Sequence, residues 1–310
     1  MKSIVLIIPY FGKWPIWFEA YLCSVSKNPT VNWLCPTNCE IPENHPSNIT
    51  FLPTNLSDLN THANKIVDVD VPLTPRKLCD LRLAYGHIFQ NEIKNYDFWG
   101  FCDMDIIWGD IRKFMTEQVL AKYDIISSRK KNISGHFTII RNRSKLNLLY
   151  KQIPVYKEYL KKKKLMRSDE ELFSDYLKET KHSFQIKWDT ILCNQEKGRD
   201  SHQEYHLNCW LWKNGQLINT KAQEEVMYLH FINWKRTMKF SEVQYDRDLN
   251  DFYVSYLGMH YEPFSNLKLA FNDFKNLFFG YEKKESKRRL KLKYKSYERR
   301  LKKRISKINK

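Results

Sequence analysis

The sequence has few glycines and no long apolar run, and each absence excludes a class of protein. A membrane-spanning helix requires about 18 consecutive apolar residues, and no window of these 310 residues supplies them. Near the amino end, the apolar run Ile4–Ile8 stops at Pro9 and is too short for the core of a signal peptide. With 9 glycines and 15% aromatic residues, the body can bury enough apolar surface to fold. We therefore expect a globular protein that does not span a bilayer.

The cysteines lack any pattern that would make them metal ligands or a disulfide framework. Their number, seven, is odd, and no C-x-x-C motif of the kind that binds zinc is present. Scattered free thiols suit a reducing compartment, so we expect a cytoplasmic protein. They are Cys23, Cys35, Cys39, Cys79, Cys102, Cys193 and Cys209.

Positive charge is abundant but unevenly distributed. The chain carries 52 Lys and Arg against 35 Asp and Glu, a formal charge of +17. Residues 282–310 hold fifteen Lys or Arg and three Glu, so they contribute +12 and leave +5 for the first 281 residues. The body is therefore nearly balanced, which does not favour a nucleic-acid binder, and the composition changes near Gly280.

The first hundred residues alternate between strand and helix patterns, as repeated β-α units do. The β-branched run SIVLIIPYFG predicts a buried parallel strand followed by a loop, at the sheet edge where ligands bind in open α/β sheets. Ile16–Ser26 is predicted as a helix, VNWLCPT as a second strand and Asn48–Leu52 as a third. Apolar residues at helical spacing predict one helix over Arg76–Asn91.

Later segments continue this pattern and complete the predicted fold class. YDIISS and GHFTIIRN are predicted as strands, and SDEELFSDYLKET as a helix with Ser168 as its N-cap. VMYLHFINW predicts one more strand after an irregular stretch beyond Gln185. The predicted class is α/β, with a mixed, mostly parallel sheet flanked by helices and a basic amphipathic helix at the carboxyl end.

Two carboxylates, Asp103 and Asp105, follow the apolar strand FWGFC. Residues two apart in an extended segment point to the same side, so both side chains can address one cation. Hard divalent ions such as Mg²⁺ or Mn²⁺ take oxygen ligands and share them with a diphosphate. The alternative is a strand end with solvated acids, but a buried strand seldom ends in two acids without a partner for their charge. The motif therefore predicts a divalent-metal site.

The run YDFWGFCDMDIIWGDIRKF resembles the strand-plus-D-x-D signature of glycosyltransferases with the GT-A fold, in which the motif holds a divalent metal on a nucleotide-sugar diphosphate. Three further runs are similar to a bacterial branch of that fold, sometimes labelled galactofuranosyltransferases, that works on surface polysaccharides. The likeness covers about residues 1–240, and it departs where many relatives have small residues after the motif. The three runs are IVLIIPYFGKWPIWFEAYLCSV, PRKLCDLRLAYGHIF and SGHFTIIRN, and the bulky residues at the departure are Ile106, Ile107 and Trp108.

The resemblance extends to YLHFINWKRTMK, late in the likeness. In retaining members of the wider fold, a similar stretch supplies a third metal ligand and a diphosphate contact. This implies that His230 binds the metal beside Asp103 and Asp105, that Asp103 also touches the donor, and that Lys235 binds the diphosphate. A neutral imidazole can ligate Mn²⁺ and a cationic side chain can neutralise phosphate oxygens. A packed core histidine is the alternative for His230.

Asp169 and Glu170 are the candidate catalytic residues. Inverting transfer needs a carboxylate that takes the acceptor hydroxyl proton as that oxygen attacks opposite the leaving diphosphate. In inverting GT-A families, this base lies in an acidic pair at a helix start, three residues before an aromatic. Glu170 lies three residues before Phe173 and is the first choice, with Asp169 second. The alternative is that both acids only favour a helix start through the helix dipole.

The resemblance also implies contacts with the donor and the acceptor. The loop after the first strand is where this fold cradles the nucleobase, and an aromatic face there can stack on uracil. A Lys-x-x-Asp segment faces the donor in the relatives, although charges three apart on a helix also form ordinary surface ion pairs. The residues implied are Pro9, Tyr10, Phe11 and Gly12 for the nucleobase, Lys77 and Asp80 for the donor, and His136 for the acceptor, with a loop histidine as its alternative.

The basic tail has apolar residues at steps of four and three, which places them on one stripe of a helix whose other faces are Lys and Arg. This is typical of an amphipathic helix in a membrane interface. A solvated basic helix and a nucleic-acid-binding helix are the alternatives. The stripe consists of Leu290, Tyr294, Tyr297, Leu301, Ile305 and Ile308.

These observations predict a metal-dependent hexosyltransferase that uses Mn²⁺ or Mg²⁺. It would move galactofuranose or another hexose from a UDP-sugar to a hydroxyl of a lipid-linked or surface glycan, in capsule, O-antigen or lipooligosaccharide synthesis, with inversion preferred. Alternatives are a metal-dependent nuclease or phosphodiesterase and a non-catalytic nucleic-acid binder, but the basic tail lies about 180 positions from the D-x-D motif.

The predicted organisation and location follow from the same patterns. We expect a catalytic domain over 1–240, a helical extension over 241–281, and a tail over 282–310 that binds an anionic membrane surface. The enzyme would be peripheral on the inner face of the cytoplasmic membrane, with no nucleic-acid partner.

Overall fold

The computed structural model describes residues 1–188, 193, 205–232, 234–279, 287 and 290–301. Among these residues the strands are β1 (Ile4–Ile7), β2 (Val31–Thr37), β3 (Ile49–Pro53), β4 (Phe98–Cys102), β5 (Ile106–Trp108), β6 (Ile125–Ser127), β7 (Phe137–Arg141), β8 (Ile186–Lys187), β9 (Trp210–Lys213), β10 (Gln216–Asn219), β11 (Glu224–Val226), β12 (Tyr228–His230), β13 (Phe240–Ser241), β14 (Asp251–Val254) and β15 (Gly258–His260). The α-helices are α1 (Phe18–Ser26), α2 (Leu56–Val67), α3 (Leu78–Leu81), α4 (Tyr85–Ile88), α5 (Gln90–Ile93), α6 (Ile111–Phe114), α7 (Glu117–Lys122), α8 (Ser144–Asn147), α9 (Tyr156–Lys161), α10 (Phe173–Glu179) and α11 (Asn266–Phe279).

The central sheet has the strand order β3-β2-β1-β4-β7-β6-β8 in the described part of the chain. β1 pairs in parallel with β2 and with β4, and β2 pairs in parallel with β3. β7 runs antiparallel to both β4 and β6, and β8 is parallel to β6. Six of the seven strands therefore run in one direction. The predicted mixed, mostly parallel sheet is confirmed.

Helices cover both faces of this sheet. Along β1, Leu6 belongs to one hydrophobic core and its neighbours Val5 and Ile7 to another, because successive side chains of a strand point to opposite faces. α1 packs into the first core, and α2 and α4 pack into the second. Burial on both faces explains why β1 and β4 are continuous apolar runs.

The segment predicted as one helix over Arg76–Asn91 is broken. It forms α3, a 3-10 turn over Arg82–Ala84, α4 and α5. Five consecutive residues, Leu81 to Tyr85, are buried, which a straight α-helix on a protein surface cannot achieve with one face. Gly86 also packs so closely on Trp99 that a Cβ atom would lie 2.5 Å from the indole. The chain therefore turns tightly at the point where Arg82 enters the interior.

A second sheet, with order β11-β10-β9-β14-β15-β13 in the described residues, corrects the expectation of a helical extension over 241–281. β14 pairs with β9, so this sheet crosses the predicted boundary at residue 240. In β14, buried Phe252 and Val254 alternate with more exposed neighbours, the pattern of a half-buried strand. Within 241–279, α11 is the helical part.

Residues 290–301 of the basic tail are helical, as the spacing predicts. Leu290, Tyr294, Tyr297 and Leu301 are exposed, whereas Gly280, Ile305 and Ile308 lie outside the described residues. In the described part of the chain, every helix is too short or too polar to cross a membrane.

Candidate functional site

Asp103, Asp105 and His230 come together at the carboxyl end of β4. β12 pairs antiparallel with β5 and sets His230 opposite Ile106, directly after the D-x-D motif. His230 Nε2 lies 3.6 Å from an Asp103 carboxylate oxygen and 3.7 Å from an Asp105 oxygen. One ligand atom from each residue lies within 4.8 Å of the others. The three residues predicted as metal ligands therefore form one cluster.

Two cationic side chains pair with the carboxylates of this cluster and offset their negative charge. Lys235 Nζ lies 2.7 Å from Asp105, and Arg82 Nη2 donates to Asp103. Burial alone would raise the pKa of Asp105, but His230 and Lys235 outweigh it and hold the pKa below its ordinary value. Burial likewise would lower the pKa of Lys235, and the Asp105 carboxylate raises it instead. Asp105 therefore stays ionised although it is 5% exposed.

The donor set of this cluster fits a divalent cation. Two carboxylates and one imidazole are the ligand types that Mn²⁺ accepts, and the carboxylates also suit Mg²⁺. The Asp103 side chain is 28% exposed, so the cluster is open on its side. Three protein ligands leave coordination positions for oxygen atoms of a bound molecule.

The acidic pair Asp169 and Glu170 lies in a π-helical turn over Ser168–Leu172, which continues into α10. The prediction that Ser168 is the N-cap is wrong, because Arg167 holds that position with a left-handed φ of 56°. Ser168 is buried and donates both its backbone N–H and its hydroxyl to Asp80. π-Helical turns are rare and are often found at functional sites.

The two acids of this pair have different surroundings. Asp169 is buried and accepts a hydrogen bond from Arg82 Nη1 at 3.0 Å. Burial raises its pKa to about 6, and the nearby Glu170 adds to this while Arg82 opposes it. The Glu170 side chain is 18% exposed and pairs with Arg129 Nη1 at 3.0 Å. Glu170 is thus the more accessible carboxylate.

Arg82, which the sequence patterns did not identify, connects the two acidic pairs. Its guanidinium bonds Asp103 through one nitrogen and Asp169 through the other, and it also donates to the Gly135 carbonyl at 2.6 Å. Its charge lies 5.4 Å from the centre of the Phe101 ring. The sequence does offer one indication of this role: Arg82 stands among mostly apolar residues in LCDLRLAY, and a charged side chain in such a segment needs a buried partner.

Gly135 lies where these groups converge. A Cβ atom there would be 2.9 Å from Asp169 Oδ2, 3.0 Å from Arg82 Nη1 and 3.2 Å from Glu170 Oε1. The absence of a side chain therefore lets the loop before β7 approach both acids and the guanidinium.

His136 is buried behind the metal cluster. Its Nδ1 lies 2.7 Å from the Tyr228 hydroxyl, and its ring stacks on His230 with centroids 4.3 Å apart. These contacts fix the orientation of a predicted metal ligand. The acceptor contact predicted for His136 stays a prediction.

The loop predicted to hold the nucleobase, Pro9–Gly12, follows β1 and lies near the cluster. Trp17 Nε1 donates to the Met104 carbonyl at 2.9 Å, which ties the start of α1 to the D-x-D motif. Tyr10 is half-buried and stacks on Trp14, with ring centroids 5.3 Å apart. Burial raises the pKa of Tyr10, and the Cys39 and Asp105 side chains add to this effect. The nucleobase role itself stays a prediction.

Lys77 and Asp80 are fully buried and paired at 3.0 Å. Asp80 also accepts the Met166 N–H, and Lys77 donates to the carbonyls of Tyr159 and Lys164. The pair thus fastens the segment before the acidic pair to α3. In this arrangement both side chains are engaged with protein atoms, and their predicted contact with the donor stays untested.

Several solved structures are similar to this chain. A galactosyltransferase LgtC, crystallised with donor and acceptor sugar analogs, is 11% identical with a TM-score of 0.38, covering 73% of this chain and 87% of LgtC. Mouse xyloside xylosyltransferase 1 is 10% identical with a TM-score of 0.40, covering 74% and 96%. The glycosyltransferase GlyE of Streptococcus pneumoniae TIGR4 is 9% identical with a TM-score of 0.35, covering 60% and 45%. At these scores the likeness carries no argument about activity.

Sequence comparison gives a family but no activity. No curated protein matches the chain. A model of a family without an assigned function matches residues 6–262, most of the chain, so the galactofuranosyltransferase branch stays a prediction. The chain belongs to the family described as "Family of unknown function (DUF6625)".

Proposed function

We propose that the chain is a divalent-metal-dependent glycosyltransferase that moves a hexose from a UDP-sugar to a hydroxyl of a glycan. The observation that carries the proposal is the cluster of Asp103, Asp105 and His230 within 4.8 Å, joined through Arg82 to a second acidic pair. Metal-assisted glycosyl transfer needs a metal site and, beside it, a separate carboxylate that can accept a proton.

The donor diphosphate would bind on the open side of the metal cluster. A bound Mn²⁺ or Mg²⁺ ion neutralises charge that develops on a departing diphosphate. Lys235 lies against Asp105 and is 39% exposed, so its ammonium can reach phosphate oxygens beside the cluster. Trp17 at the start of α1 donates to the motif, and in the loop Pro9–Gly12 the ring of Tyr10 offers a face for uracil.

Glu170 is the proposed general base of an inverting transfer. It would accept the proton of the acceptor hydroxyl while that oxygen bonds to the anomeric carbon and the bond from that carbon to UDP breaks, leaving the electron pair on the phosphate oxygen. Its partial exposure and its separation from the metal ligands support this role over Asp169, which is buried against Arg82. The ion pair with Arg129 orients the Glu170 carboxylate.

The acceptor is proposed to be lipid-linked or part of a surface glycan, as in capsule, O-antigen or lipooligosaccharide synthesis. The basic tail supports this, because its helical residues 290–301 expose an apolar stripe among lysines and arginines. Each basic residue near an anionic leaflet contributes about 1 kcal/mol to binding. The enzyme would then work at the inner face of the cytoplasmic membrane.

Calorimetry tests the metal and donor parts of this proposal. UDP titrated into the protein should bind in the presence of Mn²⁺ and lose most of its affinity with a chelator, whereas an oligonucleotide of similar charge should not substitute for UDP. Equal UDP affinity with and without the chelator would contradict it. A panel of UDP-hexoses with anomeric analysis of the product would then identify the sugar and test the inversion.

A further inference from the structure

Helix α11 buries two asparagines and exposes large apolar side chains. Among residues 266–276, the part of α11 whose side chains are described, Asn272 and Asn276 are buried, at 6% and 3% exposed, and Leu269 packs partly buried against the core. On its outer side, Leu267 is 83%, Phe271 67% and Phe274 55% exposed. Surface helices of globular proteins normally turn their apolar stripe towards the core and their polar residues towards water.

Hydrogen bonds explain why the polar side faces inwards. Asn272 and Asn276 each donate to the backbone carbonyl of Tyr205, at 3.0 and 2.8 Å. Asn272 also accepts a hydrogen bond from the Tyr256 hydroxyl. The orientation of α11 is therefore fixed by specific contacts, and its exposed apolar residues are not the result of loose docking.

The exposed residues form one continuous face. Leu267, Phe271 and Phe274 are separated by four and three positions, so they lie on one side of the helix, and Ala270 lies between them. The 14 residues of α11 span about 21 Å. Contiguous apolar surfaces of this kind mark interaction sites on soluble proteins.

The geometry points to an anionic lipid bilayer as the occupant of this face. Residues 282–310, which follow α11 directly, carry a net charge of +12. A second copy of the chain would bring a second tail of the same charge to the same place, where the two would repel. An anionic membrane surface instead attracts the tail and offers an apolar interior to the large side chains of α11.

The contacts of α11 also connect it to the metal cluster. Tyr256, which bonds Asn272 through its hydroxyl, accepts a hydrogen bond from Thr237 at its backbone carbonyl at 2.7 Å. Thr237 lies two residues after Lys235, which contacts Asp105. The segment that follows Lys235 is therefore linked by hydrogen bonds to the helix that would contact the bilayer, and the use of this contact to bring the enzyme to a lipid-linked acceptor rests on the proposed function.

The two membrane contacts would differ in the share of charge and of apolar burial. The basic residues of the tail bind through charge, and salt screens this because the Debye length falls from about 10 Å at 0.1 M to about 3 Å at 1 M ionic strength. The apolar stripe of the tail adds burial that salt does not weaken. The aliphatic and aromatic residues of α11 bind through burial of apolar surface, which salt does not weaken. The full chain should therefore show a salt-sensitive and a salt-resistant component of binding.

Cosedimentation of the full chain with vesicles of phosphatidylglycerol and phosphatidylcholine tests this. The wild-type chain should keep a bound fraction at about 1 M salt, whereas the double variant Leu267→Ser, Phe271→Ser should bind like the wild type at about 0.1 M and keep a bound fraction at least about fivefold smaller than that of the wild type at 1 M. Val155→Ser is the matched control, because Val155 is 43% exposed on another part of the surface. It should behave like the wild type.

Three outcomes would overturn the inference: complete release of the wild-type chain at high salt, equal binding of the wild type and the double variant at high salt, or a concentration-dependent dimer that the double substitution abolishes. Thermal unfolding and Mn²⁺-dependent UDP binding of the double variant report whether it is folded. Vesicle binding is measured without donor or acceptor, so failure of the membrane contact and failure of the glycosyltransferase proposal are distinguishable.

Discussion

Two pairs of carboxylates each contact the Arg82 guanidinium through one member, Asp103 and Asp169, and the surroundings of the two pairs differ. Asp105, in the pair at the end of β4, has its pKa held down by His230 and Lys235. Asp169, in the pair before α10, has its pKa raised to about 6 by burial. Environment therefore gives two aspartates opposite pKa shifts: Asp105 stays ionised beside cations, whereas burial favours the protonated form of Asp169. Four substitutions test this division.

The largest effect is expected at the metal cluster. Asp105→Ala removes a carboxylate that a metal and the diphosphate would share, so we expect Mn²⁺-dependent UDP binding to disappear and turnover to fall by at least about 10³-fold. Calorimetry and a transfer assay measure the two losses. Asp175→Ala is the control, because Asp175 is an exposed acid in the first turn of α10. Retained metal dependence in Asp105→Ala would break the distinction between the two pairs.

The next effect is expected in the acidic pair before α10, where Glu170→Gln removes the proposed general base. We expect UDP affinity to remain near that of the wild type while turnover falls by roughly 10² to 10⁴, the range for loss of a general base. Glu171→Gln should have no effect, since Glu171 is exposed on the same turn. Asp169→Asn should reduce turnover less. Normal turnover by Glu170→Gln would make the pair only a helix start and favour a retaining mechanism.

Arg82→Gln tests the group that the two pairs share. The substitution leaves the buried Asp169 without its cation, and breaking a buried ion pair from one side costs about 3–5 kcal/mol of unfolding free energy. Arg82→Lys should recover only part of this, because one ammonium cannot bond Asp103, Asp169 and the Gly135 carbonyl with the geometry of a guanidinium. Urea denaturation measures both variants. An unfolding free energy equal to that of the wild type would show that Arg82 does not hold the pairs together.

The smallest effect concerns pH. Because folding raises the pKa of Asp169 from 3.8 to about 6, the folded state binds more protons than the unfolded state between these values. The contribution of Asp169 to stability should therefore fall as pH rises from about 4 to 6, by an amount on the order of 1–3 kcal/mol. Unfolding free energies measured across this range should lose that slope in Asp169→Asn but keep it in Asp175→Asn. Identical slopes in all three proteins would contradict the raised pKa.

Local patterns were sufficient to predict the part of the fold and site that depends on neighbouring residues in sequence. The run VNWLCPT became β2, as its β-branched and aromatic residues favour, although the strand continues through Pro36, where it was expected to stop, to Thr37. The D-x-D spacing identified Asp103 and Asp105, and the strand predicted around His230 forms β12, whose pairing with β5 brings His230 to the same place.

The features that the sequence patterns missed depend on contacts between residues that lie far apart in the chain. Arg82 lies 87 residues from Asp169 in sequence, so no spacing rule connects them. The ion pair of Lys77 and Asp80 has the spacing of a surface pair, and its complete burial depends on the later segment that covers it. The strands of the second sheet have two to four residues each, too few to establish a period of two against the surrounding turns.

The bridge through Arg82 has a consequence for how the chain folds. Its partner Asp169 is 87 residues away, and Lys235 is 130 residues from Asp105. Contacts across such separations require closure of long loops, whose entropy cost must be met by structure already formed. The site is therefore complete only when segments from distant parts of the chain have come together.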